Sequence, residues 1–137
     1  MKRTRNSCRW QLLALAIGVG PLVRCASVSG PNLQPCSGFV TLTATSAINP
    51  SIAWTPTCLV DQVTVEEDIA PSAGGPQPRW IIRSRITGRG TPSPLGYGQV
   101  PTSMEEVLSA ATLVAGHEYS VHVYDSTMEV GVAVFRP

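Results

Sequence analysis

Charged side chains are scarce in this chain: Asp, Glu, Lys and Arg together make up 14% of its 137 residues. Surface helices are usually built from such residues, so their scarcity speaks against a helical bundle. Val, Thr, Ile and Ser are plentiful instead, and Gly and Pro number 12 each. This composition favours short β-strands joined by many turns. The length allows one domain at most.

Lysine is absent after Lys2, and the charge is divided between two regions. Five basic residues lie ahead of Cys25, namely Lys2, Arg3, Arg5, Arg9 and Arg24. Residues 25–137 contain five arginines against all nine acidic residues, which gives them a net charge of −4. Phosphate binding normally requires a dense cationic surface, so nucleic acid is not an expected partner. Chemistry that depends on a lysine amine is also excluded for this region.

A hydrophobic run long enough to span a membrane is not found near the N-terminus. The apolar run Leu12–Val19 has eight residues, whereas a membrane-spanning helix needs roughly 20. Basic residues precede this run, and Gly20-Pro21 follows it. This order is typical of a secretory signal segment. We therefore expect residues 1–24 to be a signal segment and the protein to be exported.

The cleavage site has two interpretations. Leu22-Val23-Arg24-Cys25 resembles the lipobox of bacterial lipoproteins, and this resemblance implies lipidation of Cys25. Arg24 departs from that pattern, because a small residue usually precedes the cysteine. The alternative is ordinary signal peptidase cleavage near Ser27 or Ser29. The expected location is therefore exported, either lipid-anchored to the bacterial membrane or secreted.

Apolar and polar residues alternate in six short runs separated by turn residues. The runs are 39–45, 51–55, 61–68, 79–86, 119–125 and 130–135. Such alternation is typical of strands with one buried face, and this spacing is typical of a β-sandwich. Val63 and Val65 share one parity and are expected to face the core. The same holds for Trp80, Ile82 and Ile86, and Trp54 is also expected to be buried.

Two segments do not alternate. Ile69–Pro78 contains three prolines and two glycines, so it is predicted to be a loop. Residues 102–111 remain ambiguous between one helical turn and a frayed strand, because Ser103 and Glu106 have the spacing of a helix capping box. The predicted organisation is a signal segment over 1–24, a lead-in or tether over 25–37, and a β-sandwich over 38–137.

Both histidines lie in the segment Leu113–Asp125. On one strand, His117 and His122 would point to opposite faces and lie about 16 Å apart, whereas Zn–N bonds measure about 2 Å. We therefore expect no metal site. We expect no catalytic site either, because the sequence has no G-x-S-x-G motif and neither histidine has an evident orienting acid. The acidic run Glu66–Asp68 lacks a calcium-loop pattern and is expected to be a solvated strand end.

Leu113, Gly116 and Tyr119 form the pattern L-x-x-G-x-x-Y directly before a predicted strand. Here the chain resembles the fibronectin type III family, in which such a tyrosine hydroxyl bonds to backbone across a corner. Ala115 stands where that family usually has proline. The resemblance implies that these three residues form a structural corner.

Other parts of the chain carry the same resemblance, which spans about Phe39 to Phe135. Trp54 is similar to the buried tryptophan of the family's strand B, and Tyr97-Gly98 with Pro101 is similar to a mid-domain motif of bacterial examples. The resemblance implies an all-β fold, an immunoglobulin-like antiparallel β-sandwich. It also implies a spacer or binding module, usually without catalysis.

Cysteine usage predicts one disulfide. Cys8 lies in the signal segment and Cys25 at its end, which leaves Cys36 and Cys58 as a pair in an exported domain. An antiparallel hairpin of residues 38–45 and 49–56, centred on Ala47, places Val40 opposite Trp54 and Leu42 opposite Ile52. The same register places the two cysteines opposite each other.

Four of the five arginines after Cys25 are clustered, at positions 79, 83, 85 and 89. Arg79, Arg83 and Arg85 occupy alternate positions of their run that are predicted to face outward. Glu66 and Asp68 occupy the outward-facing positions of the preceding run. We favour the interpretation that they form cross-strand ion pairs. A cationic stripe for an acidic glycan or a protein partner is the alternative.

We expect a non-enzymatic, exported interaction or structural module of the cell envelope, without a cofactor. Its partner is an unknown protein or glycan of the envelope, and it contacts the membrane only through a possible lipid anchor. The alternative is a carbohydrate-binding accessory domain, which needs aromatic platforms on an exposed face. Tyr97 and Tyr124 are candidates, since Tyr124 shares the outward parity of His122. The ligand-binding residues are otherwise unknown.

Overall fold

The computed structural model describes residues 33–137, so the predicted signal segment and Cys25 lie outside the described residues. The described chain contains eight strands and a short 3-10 helix at Pro71–Ala73. The strands are β1 (Thr41–Ala44), β2 (Ser51–Thr55), β3 (Gln62–Glu67), β4 (Gln77–Ser84), β5 (Leu95–Gly96), β6 (Met104–Leu108), β7 (Tyr119–Asp125) and β8 (Met128–Phe135). Over residues 33–137, no helix is long and apolar enough to cross a membrane.

The strands form two antiparallel sheets that pack as a sandwich. One sheet has the order β1-β2-β5, and the other has the order β6-β4-β3-β7-β8. Sequence neighbours pair in β1-β2, β3-β4 and β7-β8, while β7 crosses over to pair with β3. The predicted all-β antiparallel sandwich is confirmed.

The core lies between the two sheets and follows the alternation of the sequence. Val63 and Val65 of β3 are buried, as are Trp80 and Ile82 of β4. Trp54 of β2 is buried from the opposite sheet. Alternate side chains of a strand point to one face, so a period of two places every second residue between the sheets. The predicted burial of these residues is confirmed.

Both ends of β4 differ from the prediction. Ile86 was expected in the core, but it is 60% exposed because β4 ends at Ser84 and a turn closes where Arg89 N–H donates to the Ile86 carbonyl. At the other end, Gln77 and Pro78 belong to β4 and not to the predicted loop. Pro78 is accommodated because it pairs at a β-bulge, where a missing N–H interrupts no regular ladder.

The ambiguous segment 102–111 contains β6, which pairs with β4. The frayed-strand interpretation is therefore correct, and the helical turn is wrong. β5 was not predicted from the sequence, because it has only two residues. Its pairing with β2 depends on a partner that is distant along the chain.

The predicted disulfide between Cys36 and Cys58 is present, with Cα atoms 5.0 Å apart. The hairpin register behind that prediction is wrong by two residues, since Leu42 pairs with Trp54. The reason is the connecting loop: Thr45 N–H donates to the Ser51 carbonyl, which moves the centre of the hairpin one residue beyond Ala47.

The cysteines meet outside the regular β1-β2 ladder. Cys36 N–H donates to the Leu59 carbonyl, and Leu59 N–H donates to the Gln34 carbonyl, which forms a short parallel bridge. Cys36 is buried in the core. Residues 34–36 are therefore hydrogen-bonded to the sandwich ahead of residue 38, where the domain is predicted to begin.

Candidate functional site

The predicted corner residues come together before β7. Tyr119 is buried, and its hydroxyl accepts a hydrogen bond of 2.9 Å from Val114 N–H. Leu113 is buried in the same core. Gly116 has a φ of +83°, a conformation that side chains with a Cβ rarely adopt. This corner serves the fold, because it ties the turn to the first residue of β7.

A polar cluster stands at the same end of the sheet. Glu67, the last residue of β3, is buried, and its carboxylate accepts two hydrogen bonds from Arg79, of which the Nε bond is 2.8 Å long. His117 Nδ1 donates to the other carboxylate oxygen. These hydrogen bonds, first from His117 and then from Arg79, lower the pKa of Glu67 although burial acts to raise it. Glu67 thus joins β3, β4 and the turn before β7.

Both histidines have an acidic partner, which corrects the expectation that neither has one. His117 pairs with Glu67, and His122 Nδ1 lies 2.7 Å from Glu129 Oε2. His117 also lies in the turn before β7 and not on the strand. The sequence could not show these pairs, because their members come from different strands or turns. Within residues 33–137, no three His, Cys, Asp or Glu side chains are grouped to hold a metal.

The expected ion pairs form with different partners. Arg79 pairs with Glu67 and Arg83 with Glu105, whereas Glu66 and Asp68 were expected. Arg83 lies directly opposite Glu105 on β6. For Arg79 the reason is a bulge: Val65 pairs with Trp80 and Glu66 with Pro78, which leaves Arg79 as an extra residue of β4 whose side chain meets Glu67. Glu67 is consequently not part of a solvated strand end. Arg85 and Arg89 form no ion pair with any residue of 33–137.

The outer face of the five-stranded sheet carries His122 and Tyr124. Their rings lie 6.5 Å apart with an angle of 24° between the planes. Gln62 lies opposite Tyr124 on β3, and Glu129 lies opposite it on β8. Burial and the nearby carboxylates of Glu129 and Glu66 raise the pKa of Tyr124. The arrangement offers a flat aromatic pair beside hydrogen-bonding groups.

Tyr97 is not an exposed platform, which corrects the second aromatic candidate. Its ring packs edge-on against Trp80 at a centroid distance of 5.3 Å, and its hydroxyl donates to the Ala111 carbonyl at 2.6 Å. Burial is the main cause that raises the pKa of Tyr97 to about 12. Its role is to close one end of the core.

The edge strand β8 exposes apolar side chains on the same outer face. Val132 lies opposite His122 and is 52% exposed, and Val134 lies opposite Ser120 and is 59% exposed. On the free side of β8, the only backbone hydrogen bond formed by the described residues is from Val40 N–H to the Val130 carbonyl. The uncharged run of residues 130–135 is the sequence signal for this surface, although its alternation by itself predicts only a strand.

Comparisons with protein families, with curated proteins and with solved structures give no match.

Proposed function

We propose that this protein is a non-enzymatic, exported interaction module of the cell envelope that binds a protein partner by adding a strand to β8. The observation that carries the proposal is the exposure of Val132 and Val134 along an edge strand whose outer side accepts one backbone hydrogen bond, from Val40 N–H, among the described residues. An edge strand presents N–H and carbonyl groups that another chain can pair with.

β8 is less protected than the other edges. Proteins shield edge strands by making them short or by adding charge or proline. Among the described edges, β1 has four residues, β5 has two, and β6 carries Glu105 and Glu106. β8 has eight residues and no charged or proline residue from Val130 to Phe135. It is therefore the edge best suited to strand addition.

The surface around β8 indicates the chemistry of the partner. A strand added to this edge gains main-chain hydrogen bonds, and its alternate side chains meet Val132 and Val134. Phe39, which is 87% exposed, precedes Val40, whose N–H donates to the Val130 carbonyl of β8. The partner segment is thus extended, with apolar residues at alternate positions.

Export and family membership are part of the proposal. The Cys36–Cys58 disulfide supports export, because disulfides persist mainly in oxidising compartments. Buried Trp54 on the second strand and the corner hydrogen bond of Tyr119 support a fibronectin type III-like domain. A lipid anchor on Cys25 would hold such a module at the bacterial membrane.

The test is photo-crosslinking in intact source cells with a photoreactive residue in place of Val132. We expect a discrete adduct that is lost when Val134→Lys is added, because a strand addition does not tolerate a new charge on its apolar contact. Val107→Lys on β6, at an equally exposed site, is the matched control and should retain the adduct. An adduct that is unaffected by Val134→Lys would contradict strand addition at β8.

Carbohydrate binding is the second candidate, and the observation that favours it is the near-parallel pairing of the half-buried His122 and Tyr124 rings on the outer face of the sheet. Sugar rings pack on flat aromatic surfaces, and Glu129 and Gln62 supply hydrogen-bonding groups. Binding on a glycan array that is lost in Tyr124→Ala and retained in Val100→Ala would favour this function. A flat response of the parent across the array would exclude it.

A further inference from the structure

A small cleft lies between the turn after β4 and the start of β6. It has a volume of about 190 Å³ and is lined by Arg85, Ile86, Arg89, Thr102 and Ser103. The cleft stands where β4 ends and β6 begins, because Ser84 pairs with Met104. It is therefore at the end of the sheet opposite the Glu67 cluster.

Backbone bonds hold both arginines at this cleft. Arg85 N–H donates to the Ser103 carbonyl, and Arg85 Nε donates to the Met104 carbonyl, each at 3.0 Å. Arg89 N–H donates to the Ile86 carbonyl in the turn. The Nε bond of Arg85 orients its guanidinium and leaves the two terminal nitrogens for another acceptor.

The two arginines share the cleft without a counter-charge from residues 33–137. The other three arginines of that range pair with Glu67, Glu105 and Glu118. Asp61 is the acid that reaches this turn, but it is buried and both its oxygens accept the Gly88 N–H at 2.9 Å. A bound anion would supply the counter-charge that is missing at this cleft.

We propose that this cleft binds an oxyanion, a carboxylate or a sulfate, carried by a sugar residue of an acidic glycan. Guanidinium groups match the planar geometry of such anions with paired N–H donors. The exposed side chain of Ile86 provides an apolar wall for the sugar ring, and Thr102 also lines the cleft. The Ser103 hydroxyl donates to the Gly90 carbonyl at 3.0 Å.

The charge of the domain limits the extent of this contact. Residues 25–137 have a net charge of −4, so a long polyanion is repelled by the rest of the surface. The cleft therefore binds a single acidic sugar residue, and its affinity for that sugar should fall as the salt concentration rises. This site goes beyond the proposed strand addition at β8, because it uses different residues and a different ligand.

The experiment is calorimetric titration of the purified mature chain with a uronic acid tetrasaccharide and with a sulfated tetrasaccharide. We expect at least one of them to bind, and Arg89→Gln to weaken that binding roughly tenfold. Arg89 is the most suitable site for substitution, because the arginine side-chain hydrogen bonds formed within residues 33–137 belong to the other four arginines of that range. Arg136→Gln is the matched control, since Arg136 pairs with Glu118 at the opposite end, and it should bind like the parent.

Further arms separate the glycan from a free ion and from a folding defect. The uronic acid tetrasaccharide with its carboxyl groups reduced to alcohols should not bind, and inorganic sulfate alone should bind more weakly than the sulfated sugar. Thermal melting of each variant verifies that it is folded. The proposal would be overturned if the parent and Arg89→Gln bound with equal affinity, or if neither acidic sugar bound. It would also be overturned if the reduced sugar bound, or if inorganic sulfate bound more tightly than the sulfated sugar. None of these results depends on crosslinking at Val132.

Discussion

At the scale of single residues, Tyr119 combines a buried ring with one hydrogen bond. Its ring stacks on Phe135 at 5.6 Å, and its hydroxyl accepts from Val114 N–H. Tyr119→Phe keeps the ring but leaves this N–H without its partner, so we expect the free energy of unfolding to fall by about 1 kcal/mol or more. Equilibrium denaturation measures this loss. A variant as stable as the parent would contradict the role of the corner.

The carboxylate of Glu67 makes stability depend on pH. Its pKa in the folded state lies below the ordinary value of 4.5, since His117 and Arg79 donate to the charged form. Its stabilising contribution is therefore fully present above pH 4.5 and is lost as the pH falls through the lowered folded-state pKa. We expect Glu67→Gln to be less stable than the parent at pH 7, with a smaller loss on acidification. Unfolding measured between pH 3 and 7 tests this; parallel curves for both proteins would contradict it.

The two buried tryptophans differ in their hydrogen bonds. Trp54 Nε1 donates to the Cys58 carbonyl at 2.9 Å, whereas Trp80 Nε1 is buried without a partner among the described residues. Both Trp→Phe changes reduce side-chain volume, but only the change at Trp54 breaks a hydrogen bond. We expect Trp54→Phe to cost about 1 kcal/mol more than Trp80→Phe. Denaturation of the two variants side by side decides this, and a larger loss at Trp80 would contradict the prediction.

At the scale of elements, a bulge in β4 brings a cation to Glu67. β3 keeps its alternation through Glu67, which pairs with Tyr119 of β7 in unbroken register and is buried like Val65. On β4, Trp80 pairs with Val65 and Pro78 with Glu66, so Arg79 is the extra residue between them, and it meets Glu67 where His117 of the turn also reaches. One extra residue thus links three elements at one end of the sheet.

The disulfide joins the segment before β1 to the segment after β2. Cys36 and Cys58 are 22 positions apart, and closing a loop of that size stabilises a domain by about 3 kcal/mol in the chain-entropy account. We expect the double variant Cys36→Ser with Cys58→Ser to lose about this amount in denaturation experiments. Reduction of the parent should produce a similar loss. Unchanged stability on reduction would contradict the prediction.

At the scale of the whole molecule, the two ends of the five-stranded sheet carry different groups. The corner of Tyr119 and the Glu67 cluster tie elements together at one end. The other end carries Tyr124, with Arg85 and Arg89 on the turn beyond β4. The contacts that tie the turn before β7 to the sheet are thus separated from the cleft proposed to bind an anion.

The predicted anchor is tested on the whole protein. If Cys25 is lipidated, the intact mass of the protein from the membrane fraction should correspond to a chain that begins at Cys25 with attached acyl groups. Cys25→Ser should move the protein out of that fraction. An unmodified N-terminus immediately after Ser27 or Ser29 would contradict the anchor and indicate a secreted protein.

Local sequence patterns were enough to predict the all-β class, the burial of Trp54, Trp80 and the valines of β3, and the pairing of Cys36 with Cys58. The first two properties depend on the alternation of apolar and polar residues, which is a local pattern. The third depends on the number of cysteines, which can be counted without knowing the fold. Alternation states which face a residue occupies, and it holds wherever the strand remains regular.

The tertiary structure alone decided which residues meet. The pairs Glu67–His117 and Arg83–Glu105 join residues that are 50 and 22 positions apart, and a bulge or a loop changes such partners without changing the alternation. The exposure of Val132 and Val134 follows from the place of β8 at the edge of its sheet, since the same pattern on an inner strand could be covered on both sides. Strand order and register depend on the energy of the whole packing, which no single segment of the chain contains.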